Sequence, residues 1–341
     1  MKFNVLAVDI AKEVFQVHGI RARSRSPLSR RVRRQEFLSV MRGFAPSLVV
    51  IEAGWSAHYW GREIEKLGHK VKLIAPQHVK PFVQTNKSDR NDAAAIAEAA
   101  QRPGMKFVSV KSVEQQEIQM LHRVRARCVR QRTAVCNEAR GFLCEQGIVI
   151  RLGVKAVREK LKELLLDTSG DISWLFQEIL RRLYDELKWL DQQVLDYDQK
   201  ILQIAKAHPM CQRIQMMKGV GPLIATAMLS TVGDAQKFKN GRAFSANLGL
   251  VPRHAGTGGR NKTGSISKRG DVYVRQLLIH GARSALYSAK KRTDKHSLWC
   301  INVMERVGFN KAVVALANKN ARIIWKLMTT DMSYNPNMAA A

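Results

Sequence analysis

Phe3-Asn4-Val5-Leu6-Ala7-Val8-Asp9 and Ser47-Leu48-Val49-Val50-Ile51-Glu52 are the two stretches that decide the fold. Each is a short apolar run ending on a carboxylate. The first reads as a strand that ends at Asp9, and the second is typical of a buried strand. Working outward, residues 14–20 alternate as a second strand, and 21–34 carry seven arginines. Residues 56–67 read as a helix and 70–75 as another buried strand. Ser88-Asp89-Arg90-Asn91-Asp92 then opens an alanine-rich helix that runs to about residue 101. Strands alternating with helices predict an α/β domain over residues 1–110.

Residues 113–145 are helical in pattern and strongly basic. Over 172–207 the apolar positions Phe176, Leu180, Leu183, Leu187, Leu190, Val194, Tyr197, Ile201 and Ile204 are spaced 4-3-4-3-4-3-4-3. That strict seam predicts a self-associating coiled coil over 176–204, the alternative being a helix packed on its own chain. Residues 111–207 therefore form a basic helical and coiled-coil region. Residues 208–330 follow as a mainly helical domain with a Gly/Arg/Lys-rich loop at 252–271, and 331–341 read as a disordered tail.

Lys and Arg number 57 against 28 Asp and Glu, a formal net charge of +29 in 341 residues. That much like charge strains a compact chain, and a nucleic acid is its simplest counterpart. Apolar residues at 45% suffice for a packed core and argue against global disorder. No apolar run approaches the ~20 residues of a membrane span, so no membrane partner is expected. The acids in the first apolar run argue against a secretory leader. Cys128, Cys136, Cys144, Cys211 and Cys300 have no zinc-ligand spacing. Cys128, Cys136 and Cys144, eight apart, read as small buried residues, and a reducing cytoplasm fits.

Asp9 and Glu52 stand at strand ends, where α/β sheets place their sites. Asp89 and Asp92, three apart at a helix start, share one face. Singly, these acids read as turn residues or as first-turn acids favoured by the helix dipole. As a set in so basic a chain, they suit hard divalent cations such as Mg²⁺. Two such ions about 3.5–4 Å apart serve phosphoryl transfer.

Met217-Lys218-Gly219-Val220-Gly221-Pro222-Leu223-Ile224-Ala225 has the form of a helix-hairpin-helix turn. Gly219 and Gly221 would let backbone N–H groups approach a phosphate, with Lys218 adding charge; a plain helix–helix corner is the alternative. The 252–271 loop sets Arg253, Arg260, Lys262, Lys268 and Arg269 among glycines and hydroxyls, with Arg275 and Arg283 on the helix that follows. By composition it is a flexible basic loop on phosphate. The sharper reading is a nucleophilic hydroxyl on a glycine turn, ringed by cations that stabilise a pentavalent phosphate. Arg21, Arg23, Arg25, Arg30, Arg31, Arg33 and Arg34 read as a hairpin tip or arm that grips nucleic-acid backbone, together with the basic helix 123–140.

Six blocks in order carry a resemblance over nearly the whole chain. They are Ala7-Val8-Asp9-Ile10-Ala11-Lys12, Ile51-Glu52-Ala53-Gly54, Asn86-Lys87-Ser88-Asp89-Arg90-Asn91-Asp92-Ala93, Gly219-Val220-Gly221, Leu248-Gly249-Leu250-Val251-Pro252-Arg253 and Ile266-Ser267-Lys268-Arg269-Gly270-Asp271. The chain resembles the DEDD transposases of bacterial insertion sequences, a group that includes Piv-type invertases and RNA-guided bridge recombinases. The resemblance implies a RuvC-like (RNase-H-like) N-terminal domain whose metal site is Asp9, Glu52, Asp89 and Asp92. It implies a catalytic serine after the Pro-Arg block, which attacks DNA and forms a covalent intermediate. Counted from Pro252-Arg253, that position falls on Thr257, with Ser265 and Ser267 as alternatives. It further implies a homo-oligomer, dimer or tetramer, acting on donor and target DNA with a structured noncoding guide RNA. A hydrolytic RuvC-like junction nuclease, using the same carboxylates with water, is the alternative.

Overall fold

The computed structural model describes residues 3–21, 27–83, 86, 88–167 and 172–337. The chain divides into two compact units, residues 1–113 and 114–341. The first contains β1 (Val5–Ile10), β2 (Val14–Ile20), β3 (Leu28–Arg33), α1 (Phe37–Arg42), β4 (Leu48–Glu52), α2 (Ala57–Glu65), β5 (Lys70–Ile74), α3 (Pro76–Val79), α4 (Asp89–Gln101) and β6 (Phe107–Val108). These strands form one sheet in the order β3-β2-β1-β4-β5-β6. β1, β4 and β5 run parallel, and β2, β3 and β6 are antiparallel to their neighbours.

Period-two alternation divides β1 between two cores. Leu6 and Val8 pack with Phe15, Val49, Ile51 and Leu73 against α1 and α2. Val5 and Ala7 turn the other way and pack with Val50, Ile74 and the apolar side of α4. Burial on both faces explains why β1 and β4 are continuously apolar. Phe15, Phe37 and Trp60 meet edge to face, with centroids 4.7 to 5.4 Å apart.

The 21–34 segment is not a free arm throughout. Its second half is β3, an edge strand along which Arg30, Arg31 and Arg33 are exposed while Val32 is buried. Charge along an edge opposes pairing with another strand. Arg21 lies 4.9 Å from the Phe3 ring centre. Arg34 lies 5.0 Å from that of Trp60 and donates to the Lys12 carbonyl at 3.2 Å. Arg23 and Arg25 lie outside the described residues.

From Val113 onward the chain is mostly helical: α5 (Val113–Glu145), α6 (Val154–Leu166), α7 (Trp174–Ala207), α8 (Pro209–Gln215), α9 (Pro222–Val232), α10 (Gly241–Asn247), then β7 (Pro252–Thr257) and β8 (Arg260–Ile266), then α11 (Val272–Ala289), α12 (Lys295–Val307) and α13 (Phe309–Thr329). The heptad seam of α7 is covered from within the chain. Leu180, Leu183, Leu187, Leu190 and Val194 share a core with Cys128, Val135, Ala139 and Leu143 of α5 and with Val157, Leu161 and Leu164 of α6. Arg125 meets Asp198 at 2.5 and 3.1 Å, and Arg132 meets Asp191 at 3.1 Å, so α5 and α7 run antiparallel. This corrects the expectation of a seam between copies. Heptad spacing reports a knobs-into-holes seam, not which helix fills it. Leu187→Ala is expected to cost about 2–5 kcal/mol. Thermal unfolding should show the same loss at every protein concentration.

Cys128 and Cys136 are buried, but Cys144 is exposed. Eight residues overshoot two helical turns by about 80°, so the third cysteine has rotated out of the core. His122 ties α5 to α9 and α11. Its Nδ1 meets the Tyr273 hydroxyl and its Nε2 meets Thr226 Oγ1, both at 2.9 Å. Burial, aided by Arg125, pushes its pKa down to about 4. The Thr226 hydroxyl donates to the Pro222 carbonyl, so Nε2 of the neutral ring is the donor to Thr226.

Two further expectations need correction. The 252–271 loop is largely a β-hairpin, β7 paired antiparallel with β8. Residues 331–337 of the expected disordered tail are docked: Arg213 pairs with Asp331 at 3.3 Å, and the His296 N–H donates to the Pro336 carbonyl at 3.2 Å. Among the described residues no helix is long and apolar enough to cross a membrane.

Candidate active site

The alternation that buries Val5 and Ala7 under α4 carries Asp9 to the same face of the sheet. On β4, Val50 shares that face, and so does Glu52 two residues on. β1 and β4 pair in parallel up to Val8↔Ile51, and the next step in that register sets Asp9 beside Glu52. α4 starts at this end, with Ser88 Oγ accepting from the Asn91 N–H at 3.3 Å and Asp89 and Asp92 in the first turn. The four carboxylates therefore form one electrostatic patch. Burial is the largest cause that pushes the Asp9 pKa up to about 6, followed by the charges of Asp92, Asp89 and Glu52. A divalent cation would relieve that repulsion, and the donors are the hard oxygens it prefers. Among the described residues no three acids, histidines or cysteines close to metal-holding distance.

The sequence reading passed over two polar neighbours of this patch. Gln16 pairs with Asp9 across β1 and β2, and His18 pairs with Ala7. Gln16 is buried and donates to Ser29 Oγ at 2.9 Å. Burial and then the Arg90 charge lower the His18 pKa. The signal was the alternation of β2, which puts Gln16 and His18 on the Asp9 side.

In the hairpin, Thr257 pairs with Arg260 across the two-residue turn Gly258-Gly259. Both glycines have positive φ, +55° and +80°, as a type I′ turn demands. Thr257 is exposed at the tip, with Arg260 and Lys262 on the same strand face. Ser265 is exposed farther down β8. The hydroxyl of Ser267 is covered and has no hydrogen-bond partner among the described residues. The Ser267 N–H donates to the Val251 carbonyl at 2.8 Å, and its own carbonyl accepts from Arg253 at 3.3 Å. Arg253, Arg260, Lys262, Lys268 and Arg269 are all exposed on or beside the hairpin. Arg275 is buried and clamps the base, donating to the Arg269 carbonyl at 2.8 Å and the Leu248 carbonyl at 3.2 Å. Arg283 is exposed farther along α11.

The glycine turn joins α8 to α9. Gly219 has φ +77°, and a Cβ there would lie 2.3 Å from the Gly281 carbonyl of α11. Gly221 caps α9 and has open space around it. Lys218 is engaged: its ammonium pairs with Asp294 and donates to Ser297 Oγ at 3.2 Å. Desolvation opposes the Asp294 charge, but hydrogen bonds from Lys218 and Ser297 outweigh it and hold the carboxyl at about 2. This corrects the reading of Lys218 as a phosphate contact. Lys218→Ala leaves a largely covered carboxylate unpaired and is expected to cost about 2 kcal/mol. Asp294 is stabilising above its unfolded pKa, near 3.8, and that stability is lost as pH falls through about 2. The deficit of the variant, measured by urea unfolding, should therefore persist at neutral pH.

Comparison with known proteins bears on the whole chain. The profile described as "Transposase IS116/IS110/IS902 family" matches residues 211–297, and the IS110 DEDD profile described as "Transposase" matches residues 6–146. The chain is 44% identical over 337 residues to a "Probable family 20 transposase" of Pseudomonas aeruginosa, covering 98% of this chain and 100% of that one. It is 45% identical to the "Transposase for insertion sequence element IS1111A" of Coxiella burnetii, covering 97% of this chain and 91% of the relative. It is 32% identical to the "Transposase for insertion sequence element IS1328" of Yersinia enterocolitica, over 95% and 96% of the two chains. With the carboxylate end of the sheet and the basic hairpin falling inside the matched segments, the chain belongs to the IS110-type DEDD transposases of insertion sequences.

Proposed function

We propose that this transposase cuts and rejoins DNA with two sets of residues, the carboxylates of the sheet and a hydroxyl on the hairpin. The carrying observation is that Asp9 and Glu52 end neighbouring parallel strands on the sheet face that α4 covers, where, after burial, the charges of Asp92, Asp89 and Glu52 raise the Asp9 pKa. The order β3-β2-β1-β4-β5, with only β2 reversed, is what a RuvC-like domain calls for and supports that reading. Asp9, Glu52, Asp89 and Asp92 would hold Mg²⁺, which supplies positive charge for a phosphate under attack.

Thr257 is the nucleophile in this reading. Its hydroxyl stands at an exposed tip with the Arg260 guanidinium opposite, whereas the Ser267 hydroxyl is covered. Thr257 Oγ1 bonds to phosphorus, the bond to one DNA oxygen breaks, and that oxygen leaves as a hydroxyl. A strand hydroxyl then attacks the threonine-linked phosphate and returns the hydroxyl to Thr257. Arg253, Arg260, Lys262, Lys268 and Arg269 offset the charge of the phosphate. Arg30, Arg31 and Arg33 on β3, and Arg123, Arg127 and Arg130 on the exposed face of α5, supply backbone grip.

A structured guide RNA accounts for the remaining charge and for sequence choice, since pairing then reads the DNA. The active form is a homo-oligomer, held by surfaces other than the α7 seam, in the bacterial cytoplasm. The experiment is to purify the protein from cells carrying its native flanking DNA and to sequence the nucleic acid that copurifies. A discrete RNA mapping beside the gene is expected. A smear of cellular RNA and DNA would overturn the guided reading.

A further inference from the structure

The loop from β4 to α2 runs Glu52-Ala53-Gly54-Trp55-Ser56. The Ala53 N–H donates to the Ile74 carbonyl at 2.7 Å and continues the β4–β5 ladder. The chain then turns sharply. Ser56, the N-cap of α2, has φ +63°, one of two described non-glycine residues with positive φ. Its hydroxyl makes no capping bond and is buried without a partner among the described residues. This turn puts Trp55 three residues past Glu52 with 63% of its surface exposed.

That indole belongs to neither hydrophobic core of the sheet domain among the described residues. The residue before an N-cap usually packs on the fourth residue of the helix as a hydrophobic staple. Here that fourth residue is Trp60, which is buried against Phe15 and Phe37 with Arg34 over its ring. No aromatic contact to Trp55 exists among the described residues. Tyr59, one turn into α2, is also exposed, and its ring leans edge-on against Trp60 at 5.1 Å. Trp55 thus stands exposed in the loop that leaves Glu52, in a chain of net charge +29. Exposed rings among cationic surfaces are stacking platforms for unpaired bases, because every base has a π-face.

We propose that Trp55 receives an unstacked nucleobase of the DNA strand cut at the carboxylate patch. The occupant is a base flanking the scissile phosphate, lifted out of the duplex so that the phosphate reaches Asp9 and Glu52. The strained turn at Ser56 points the indole outward. This rests on the carboxylate reading of the site given above. Trp55 is a positioning residue: it orders the strand and holds no metal.

The test uses the full chain with its copurifying nucleic acid. The probes are duplex oligonucleotides spanning the junction of insertion-sequence end and flank, each with one 2-aminopurine, stepped across the junction. Base unstacking is read on the Asp9→Asn background, which does not cut. We expect a fluorescence rise at one or two positions, its loss in Trp55→Ala and its retention in Trp55→Phe. Cleavage with Asp9 intact should fall about tenfold or more in Trp55→Ala, and Trp55→Phe should restore it. Since Trp55 is exposed, the thermal midpoint should not move. A signal that survives Trp55→Ala, or that is lost equally in Trp55→Phe, overturns the proposal. Cleavage that survives Asp9→Asn instead overturns the carboxylate reading, whatever the fluorescence shows.

Discussion

Asp9→Asn is expected to lower DNA strand cleavage by about a thousandfold, because it removes one charge from the cation-binding set. The fold should survive. In the folded chain the Asp9 pKa is raised from 3.8 to about 6 by burial and by three neighbouring acids. A raised carboxyl pKa means that the folded state holds its proton more tightly than the unfolded one. The stability it lends is complete below about pH 4 and is lost as pH rises through about 6. At pH 7 the ionised Asp9 therefore weakens the metal-free protein. Asp9→Asn should be more stable there by about 1–2 kcal/mol, after discounting for screening. Melting between pH 4 and 7 checks both arms: the wild type should lose stability across this window and the variant should not. Added Mg²⁺ should raise the wild-type midpoint and leave that of Asp9→Asn nearly unchanged. A wild-type midpoint indifferent to Mg²⁺ would count against the cation site.

Thr257→Ala is expected to abolish strand exchange and any covalent protein–DNA adduct, a loss of about a thousandfold or more. Thr257→Ser should keep activity or raise it, because serine lacks the β-branch that stiffens and crowds the hydroxyl. The readout is a slower-migrating protein–DNA species on denaturing gels with labelled insertion-sequence ends. Strand cutting that continues in Thr257→Ala would favour the hydrolytic nuclease. Ser267→Ala is the control. Its hydroxyl is buried with no partner among the described residues, so its loss should be neutral for both stability and activity.

Much of the site lay open in the sequence because period-two strands and a helix start leave local marks. A carboxylate ending an apolar run is a strand-end acid, and Ser88 followed by Asp89 and Asp92 is a helix start. Other features left weak marks. β3 reads as an arginine arm because Val32 is its only buried residue. The β7–β8 hairpin carries little β-branched or aromatic residue content, and only Gly258-Gly259 signalled it. The exposed residue Trp55 looks in sequence like any apolar residue beside a helix.

The sequence by itself determined the two-faced burial of β1 and β4, the helical register of α5 and α7, and the residue types of the site. These follow from side-chain period and local backbone preference, which act over a few residues. Only the tertiary structure decided what meets what. The α7 seam is filled by α5 and α6, Lys218 is taken by Asp294, and the Ser267 hydroxyl is covered while Thr257 stands free. Heptads, lysines and hydroxyls are donors or surfaces awaiting a partner. The partner is chosen by long-range packing, where burial decides which charge or hydroxyl stays in water.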